Sequence, residues 1–250
     1  MKKAGVLSMS SSEERTYRKK VHARGLVSFH VVVKETDIWV SADANLEKET
    51  RDLVFDCRRR IEAYISAHPE FATTLAPYEK DPYAPPLIGE MINVTRKLAV
   101  GPMASVAGAI AEYVGKGILN LTNQVIVENG GDIFLKANRP VTVAILAGNS
   151  PLSEKFGLLI SPKLMPLGVC SSSGSVGHSL SMGVSDVVCL VATSAILGDG
   201  AATALGNEIK KKSDLEKAAL WAKDIEGVLG GVVVMADRMA TWGDIDLVEL

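Results

Sequence analysis

The order of predicted elements in this 250-residue chain indicates an α+β fold with antiparallel strands. Strand pairs and helices follow one another as hairpin, helices, strands, and then strands, helices, hairpin. They do not alternate one strand with one helix, as a doubly wound parallel sheet requires. The Asn129-Gly130-Gly131 turn between two of the strands favours antiparallel neighbours. The order of elements predicts two related halves, although no residue-level repeat is visible in the sequence.

The first half is predicted from β-branched runs, an amphipathic 3.6-residue period and proline pairs. Its elements are strands at 26–34 and 38–43, a helix at 46–67, a proline-rich ordered loop at 68–86, helices at 86–98 and 102–118, and strands at 124–128 and 133–136. The inner face of the 46–67 helix is predicted to carry Leu53, Val54, Cys57, Ile61, Tyr64 and Ile65. Pro102 suits the first turn of the 102–118 helix.

The second half is predicted by the same patterns. Its elements are strands at 140–147, 156–160, 167–171 and 186–192, helices at 195–211 and 213–224, and strands at 230–235 and 244–249. The last two strands are expected to close the fold as a hairpin. We therefore expect one domain of two packed half-repeats, about 20–137 and 138–250. The polar, basic segment 1–24 precedes the first strand.

Composition excludes several classes of protein. The chain is 47% hydrophobic and 22% charged with a net charge of −2, and it has few aromatic residues. Nucleic-acid partners are therefore not expected. The apolar patch near the N-terminus is too short for a signal peptide, and no stretch is long enough for a bilayer span, so no membrane association is expected. Cys57, Cys170 and Cys189 are widely spaced and odd in number, which favours reduced thiols in a cytoplasmic protein.

Residues 198–207 are the most informative segment of the sequence. On a helix, Asp199 and Thr203 lie on one face, one turn apart. Their small neighbours allow a ligand or another backbone to come close. A carboxylate, a hydroxyl and accessible carbonyl groups are the oxygen ligands that Mg²⁺ prefers. The alternative is a structural one, in which Asp199 caps a helix and the small residues pack tightly.

Three other clusters have both a functional and a structural interpretation. Residues 101–112 open a helix whose free N–H groups suit a phosphate, and they are also suited to close packing. The turn within residues 127–133 presents Glu128, Asn129 and Asp132 beside a bare glycine backbone, although many hairpins use Asn-Gly simply to turn. Residues 170–179 combine hydroxyl groups with His178, and in isolation they are typical of a solvated loop.

Competing enzyme motifs fail on inspection. Thr203 stands where a dinucleotide-binding fingerprint needs its third glycine, and no phosphate-binding Gly-x-x-x-x-Gly-Lys-Ser/Thr occurs. No Gly-x-Ser-x-Gly elbow surrounds a serine, and no His or Cys pair has zinc spacing. Among the histidines, His178 is the candidate for acid–base chemistry, because it lies in a Gly/Ser loop and imidazole titrates near neutral pH.

Taken in order, these clusters resemble the ApbE superfamily, whose best-known members are magnesium-dependent FAD:protein FMN transferases. Gly130-Gly131-Asp132-Ile133 matches the family's Gly-Gly-Asp-Ile turn without change. Residues 198–205 match its Ala-Asp-Ala-Leu-Ala-Thr-Ala-Leu segment and keep the Asp199 and Thr203 spacing. Ser172-Ser173-Gly174 resembles its Thr-Ser-Gly segment, and His178 falls where the family has a histidine.

The chain also departs from the family pattern. Pro102-Met103-Ala104-Ser105 replaces the family's Asp-Leu-Gly-Ala, and Gly108 replaces its lysine. No Asp-Pro follows His178, and residues 1–85 contain nothing that matches the family's longer flavin-holding region. These differences indicate a short branch of the superfamily.

The resemblance implies a duplicated T-fold, with antiparallel sheets and helix pairs packed on one face. It implies Mg²⁺ held by Asp199, Thr203 and the Ala202 carbonyl, and His178 and Asp132 as catalytic groups. The residues implied for binding the cofactor or substrate are Asn129, Gly130, Gly131, Ser172, Ser173, Gly174 and Ser105. FAD or another flavin or nucleotide is the implied ligand, with a protein acceptor and a homo-oligomer as further candidate partners. The alternative is a non-catalytic flavin- or nucleotide-binding or assembly protein with the same fold.

Overall fold

The computed structural model describes residues 25–173 and 184–250, and its strands form two antiparallel sheets. The strands are β1 (Val27–Val33), β2 (Thr36–Ala42), β3 (Val125–Asn129), β4 (Asp132–Lys136), β5 (Val141–Ala144), β6 (Phe156–Ile160), β7 (Leu167–Ser172), β8 (Val187–Ala192), β9 (Val228–Met235), β10 (Arg238–Gly243) and β11 (Asp246–Glu249). Eight of them form the main sheet in the order β1-β2-β3-β4-β7-β8-β9-β10, and the small sheet has the order β11-β6-β5. Each neighbouring pair is antiparallel, as the sequence predicted.

In the described residues, five α-helices lie on one side of the main sheet, and four of them contact its strands. The five helices are α1 (Glu47–Ala67), α2 (Pro86–Lys97), α3 (Val106–Ile118), α4 (Ala195–Glu208) and α5 (Leu215–Lys223). A single 3-10 turn, Pro102–Ser105, leads directly into α3, and Pro102 begins it because a proline needs no N–H partner there. The α1 face predicted from the sequence is the one that packs inward, with Val54, Cys57 and Ile61 buried.

The main sheet lies between two layers, because its strands place alternate side chains on opposite faces. On the helix side, residues such as Val127, Phe134 and Leu190 pack against the helices. On the other side, residues such as Leu135 and Val191 pack against the small sheet. All six residues of β8 are buried, since this strand is central and covered on both faces. The α+β class and the helices on one face agree with the sequence-based prediction.

The β3–β4 hairpin ends at the turn that the sequence singled out. Gly130 and Gly131 have φ angles of 69° and 106°, a region that side-chain-bearing residues rarely adopt. Asn129 and Asp132 pair across the turn. Ile133 then pairs with Val169 of β7, so β4 joins β1–β3 to the second group of strands. The turn therefore lies at the centre of the main sheet, where the two groups of strands meet.

The prediction for the C-terminal strands was wrong in its pairing. The hairpin partner of β9 is β10, which the sequence analysis missed, whereas β11 leaves the main sheet and pairs with β6. The alternating exposure of β10 is irregular because it is an edge strand, so its period was weak in the sequence. The elements group as β1–β4 with α1–α3 and β7–β10 with α4–α5, and the proposed half-repeat boundaries stay a prediction.

Within the described ranges, no individual helix has the length and apolar character needed to cross a membrane. Among the described helices, α2 combined with Pro102–Ile118 is the one pair that meets that length and composition test, and the pair is bent by 105°.

Candidate functional site

Helices α3 and α4 cross in close contact over the middle of the main sheet, and Gly108 permits this contact. A Cβ atom at residue 108 would lie 2.2 Å from the carbonyl oxygen of Ala195 and 2.8 Å from the Cβ of Asp199. These neighbours are a backbone carbonyl group and the Cβ atom of a buried side chain, and neither can move away easily. Residue 108 therefore has to be glycine for the two helices to approach as they do.

Asp199 caps the first turn of α3, although it belongs to the second turn of α4. Its Oδ2 atom accepts a 2.8 Å hydrogen bond from the backbone N–H of Gly108, and the Ala107 backbone also contributes. Ser105, at the N-cap position of α3, supplies no side-chain cap of its own. Asp199 thus satisfies N–H groups that the helix start leaves without partners.

Glu112 of α3 does the same for α4. Its Oε2 atom accepts hydrogen bonds from Ala195 N at 2.6 Å, Ile196 N at 3.2 Å and the Ser194 hydroxyl at 2.8 Å. Its other carboxylate oxygen, Oε1, lies 2.6 Å from Lys116 Nζ. The two helices therefore cap each other. In each helix, the capping carboxylate lies four residues after the N–H that the other helix caps: Glu112 follows Gly108, and Asp199 follows Ala195.

The end of the β3–β4 hairpin lies beneath this helix pair. The Asn129 side chain donates a 3.0 Å hydrogen bond from Nδ2 to the Ala107 carbonyl. Asp132 is level with Cys170 of β7, and the thiol is within hydrogen-bonding range of the Asp132 carboxyl group. The Cys170 Sγ also lies 3.3 Å from the Ala195 carbonyl oxygen. Asn129 and Asp132 of the hairpin and Asp199 of α4 are thus brought to one place.

Two buried carboxyl groups, those of Asp132 and Asp199, meet there. Asp199 and Asp132 are 8% and 5% exposed. Burial raises the pKa of Asp199 to about 7, against backbone hydrogen bonds from Gly108 and Ala107 that lower it. Burial, reinforced by the charge of Asp199, raises the pKa of Asp132 well above its usual range. In residues 25–173 and 184–250, no lysine or arginine pairs with either group.

Two polar atoms at this site lack a partner within the described structure. They are Asp132 Oδ1 and Ser172 Oγ, and both are buried. Ser172 is two residues beyond Cys170 on β7, so both side chains are on the helix face of the sheet. An unpaired buried carboxylate oxygen costs free energy, and a bound cation or donor would relieve that cost. The site is therefore suited to a cation or a hydrogen-bond donor that binds oxygen atoms.

The metal-ligating residues predicted from the sequence lie along α4. Thr203 is one turn beyond Asp199, on the same face, and its side chain is partly exposed. Ala202 is buried inside α4, where its carbonyl accepts the helical hydrogen bond of Gly206 and keeps one lone pair. In the part of the chain that is described, no three His, Cys, Asp or Glu side chains form a metal cluster. A cation here would therefore depend on few carboxylates and on the ligand itself.

The remaining predicted residues have varied surroundings. Gly131 donates its N–H to Glu128 Oε1 at 2.9 Å, and its carbonyl accepts from the Ser171 hydroxyl. Ser105 is fully buried and donates to the Pro102 carbonyl at 3.0 Å. Ser173 donates to the Asp186 carbonyl at 2.6 Å. Gly174 and His178 lie outside the described residues, so their positions relative to Asp199 stay predictions.

Glu112 and Cys170 are members of this site that the sequence analysis did not select. Glu112 stands in an apolar helix, where an isolated charged residue signals a buried partner. Its partners are backbone N–H groups in a helix about 83 residues away, which no local pattern reveals. Cys170 resembled an ordinary buried thiol, and burial raises its pKa well above its usual range, which makes it unreactive.

Comparison with known proteins places these features in a family. The family model described as "AbpE bacteria" matches residues 18–243. A UPF0280 protein of Methanocella arvoryzae is 41% identical over 212 residues, which cover 84% of this chain and 86% of that protein. A UPF0280 protein of Methanocaldococcus jannaschii is 36% identical over 86% of this chain and 90% of its own length.

Solved structures support the same fold. The ApbE protein of Thermotoga maritima superposes with a TM-score of 0.56 at 12% identity, over 86% of this chain and 96% of its own. The flavinyl transferase ApbE of Pseudomonas stutzeri gives a TM-score of 0.55 at 13% identity, over 87% and 94% of the two chains. At such identities, the likeness establishes the fold alone.

Proposed function

Since this chain belongs to the family described as AbpE bacteria, we propose that it is an ApbE-type, Mg²⁺-dependent enzyme acting on the pyrophosphate of FAD. It would either transfer FMN to an acceptor or hydrolyse FAD to FMN and AMP. The observation that carries the proposal is the buried pair Asp132 and Asp199. These like-charged groups have no neutralising side chain among the described residues, and Asp132 Oδ1 has no partner.

The residues at the site fit a magnesium ion better than a softer metal. Their available atoms are carboxylate, hydroxyl and carbonyl oxygens, and the Cys170 thiol stays protonated. Asp199, Thr203 and the Ala202 carbonyl would hold the ion, and ligand phosphates would complete its coordination. Bound Mg²⁺ would supply neutralisation of the negative charge that develops on the phosphates.

The other residues of the site have binding and proton-transfer roles in this proposal. An acceptor hydroxyl or water attacks the phosphorus of the FMN half, the bond to the AMP oxygen breaks, and AMP leaves. His178 would take the proton of the attacking hydroxyl, because imidazole titrates near the working pH. Asn129 and the Gly130-Gly131 backbone would face the ligand, while Ser172 would donate its unused hydroxyl.

A direct assay tests this proposal. Purified protein is incubated with FAD and Mg²⁺, with FMN and AMP measured by chromatography, and Asp199→Ala should abolish product formation while the protein stays folded. Asp52→Ala is the matched control, since it removes an exposed aspartate on α1 that pairs with Lys48 and lies outside the proposed site. Product formation that persists in Asp199→Ala, or that needs no Mg²⁺, would overturn the assignment of the site.

A second function is favoured by one observation, the lack of space for any side chain at Gly108. The family's lysine cannot be accommodated there, because even a Cβ would collide with the Ala195 carbonyl. A protein without that lysine could bind a flavin or nucleotide without transforming it. Flavin that co-purifies or binds with Mg²⁺ but yields neither FMN nor AMP would select this non-catalytic alternative.

A further inference from the structure

We infer that Glu112 is a positioning residue that fixes Asp199 at the site by capping the helix on which Asp199 lies. The inference rests on the proposed function for its importance to Mg²⁺ binding, but its structural part can be measured without any metal. Glu112 is 3% exposed, and both of its carboxylate oxygens are occupied. Its polar contacts on α4 are with residues 194–196 at the start of the helix, so its effect on Asp199 is carried by the backbone of α4.

The polar contacts of Glu112 determine where α4 begins. Its Oε2 atom takes the N–H groups of the first two residues of α4 and the hydroxyl of Ser194. The cap supplied by Ser194 itself is a longer contact, 3.3 Å to Leu197 N. A charged acceptor at a helix start is stronger than a neutral one, so Glu112 is the dominant cap.

The first turn of α4 transmits this cap to Asp199. Ala195 and Asp199 are one turn apart on the same face, and both contact Gly108. If the start of α4 shifts along α3, the Asp199 carboxylate moves away from the Gly108 N–H. The close contact at Gly108 keeps the two helices from separating, so a shift of α4 has to be a sliding movement along α3. Glu112 and Asp199 therefore hold a single register between the two helices, and removing either cap should loosen the other.

The first measurement is amide hydrogen exchange of Gly108 in the metal-free protein, relative to the Leu190 amide of the central strand β8. We expect Glu112→Gln to raise this ratio about tenfold, because a neutral acceptor weakens the α4 cap. Asp199→Asn should in turn raise the exchange of the Ala195 amide. Lys116→Met is the matched control, since it removes the ion pair but leaves the cap, and it should leave both ratios unchanged.

The second measurement is Mg²⁺ affinity by titration calorimetry on the same variants. Glu112→Gln should weaken binding about tenfold, as groups that orient metal ligands commonly do, and Lys116→Met should not. Glu112→Asp, which keeps the charge but shortens its reach, should behave like Glu112→Gln and serves if that variant does not fold. Val54→Ala, a buried substitution in α1, should reduce stability without changing either readout.

The two readouts separate the two claims. An unchanged Gly108 exchange ratio in Glu112→Gln and Glu112→Asp overturns the positioning role, whatever the metal does. A raised ratio in a protein whose wild type binds no Mg²⁺ retains the positioning role and overturns the metal site of the proposed function. A change that Val54→Ala reproduces would reduce Glu112 to a contributor to general stability.

Discussion

Glu112 on α3 and Asp199 on α4 make the same contact and differ in their electrical surroundings. Each carboxylate caps the first turn of the opposite helix. Each also lies four residues after the capped N–H of its own helix, Glu112 after Gly108 and Asp199 after Ala195. One turn after Glu112 stands Lys116, whose ammonium lies 2.6 Å from it. One turn after Asp199 stands the uncharged Thr203, and the ionisable side chain with which Asp199 interacts is another carboxyl group, that of Asp132.

This difference separates a structural carboxylate from one available to a ligand. Burial opposes the charge of Lys116, but the hydrogen bond and charge of Glu112 outweigh it and raise the pKa of that lysine. Glu112 is therefore neutralised within its own helix. Asp199 carries a cap without a counter-charge, so its site is the one where an external cation would lower the free energy most. Shared geometry thus does not imply shared function.

The largest effect is expected when the close contact between α3 and α4 is disrupted. Gly108→Ala forces a Cβ against the Ala195 backbone, which separates both caps at once, and should lower the free energy of unfolding by about 3 kcal/mol. Denaturant unfolding measures the change. Gly89→Ala is the matched control, because nothing lies within 4 Å of its added Cβ, and it should stabilise α2 by about 0.5 kcal/mol. Equal effects of the two variants would refute the close contact.

The pH dependence of stability should distinguish the two carboxylates. Burial in the folded state raises the pKa of Asp199 to about 7 from its ordinary value of 3.8, so the folded protein binds more protons than the unfolded chain between these pH values. Metal-free stability should therefore be greatest below pH 4 as far as this group is concerned. It should fall by about 1 kcal/mol per pH unit as the pH rises towards 7.

Asp199→Asn should flatten this slope, and Mg²⁺ should reduce it in the wild type. Thermal unfolding with a chelator or with Mg²⁺, at several pH values, measures both effects. A slope that survives in Asp199→Asn would assign the titration to Asp132 or to another group.

The smallest effect is expected at the ion pair that neutralises Glu112. The Lys116 side chain is 59% exposed, so Lys116→Met should change the free energy of unfolding by less than about 1 kcal/mol. Chemical denaturation of this variant beside wild type measures it. A loss several times larger would show that Glu112 depends on its counter-charge, and the contrast with Asp199 would then be one of degree.

Local sequence patterns were sufficient to predict many of the secondary-structure elements of this protein. The 3.6-residue period of α1, the β-branched runs of β1 and β2 and the Gly130-Gly131 turn each describe contacts within a few residues, so the sequence predicted these elements. The ordered motifs were also sufficient to predict the family. Sequence analysis could select Asp199, Asp132 and Asn129 because polar residues next to glycines are easy to recognise in the sequence.

The contacts that these residues make depend on the packing of distant segments of the chain. No local pattern indicated that Asp199 caps α3 instead of its own helix, since its partner Gly108 is 91 residues away in the chain. The role of Glu112, the place of Cys170 beneath Asp132 and the departure of β11 to the second sheet depend on long-range packing in the same way. The reason is physical: side-chain periodicity records which face of an element is buried, whereas a cap between helices or a strand's choice of sheet depends on which surface the rest of the chain brings against it.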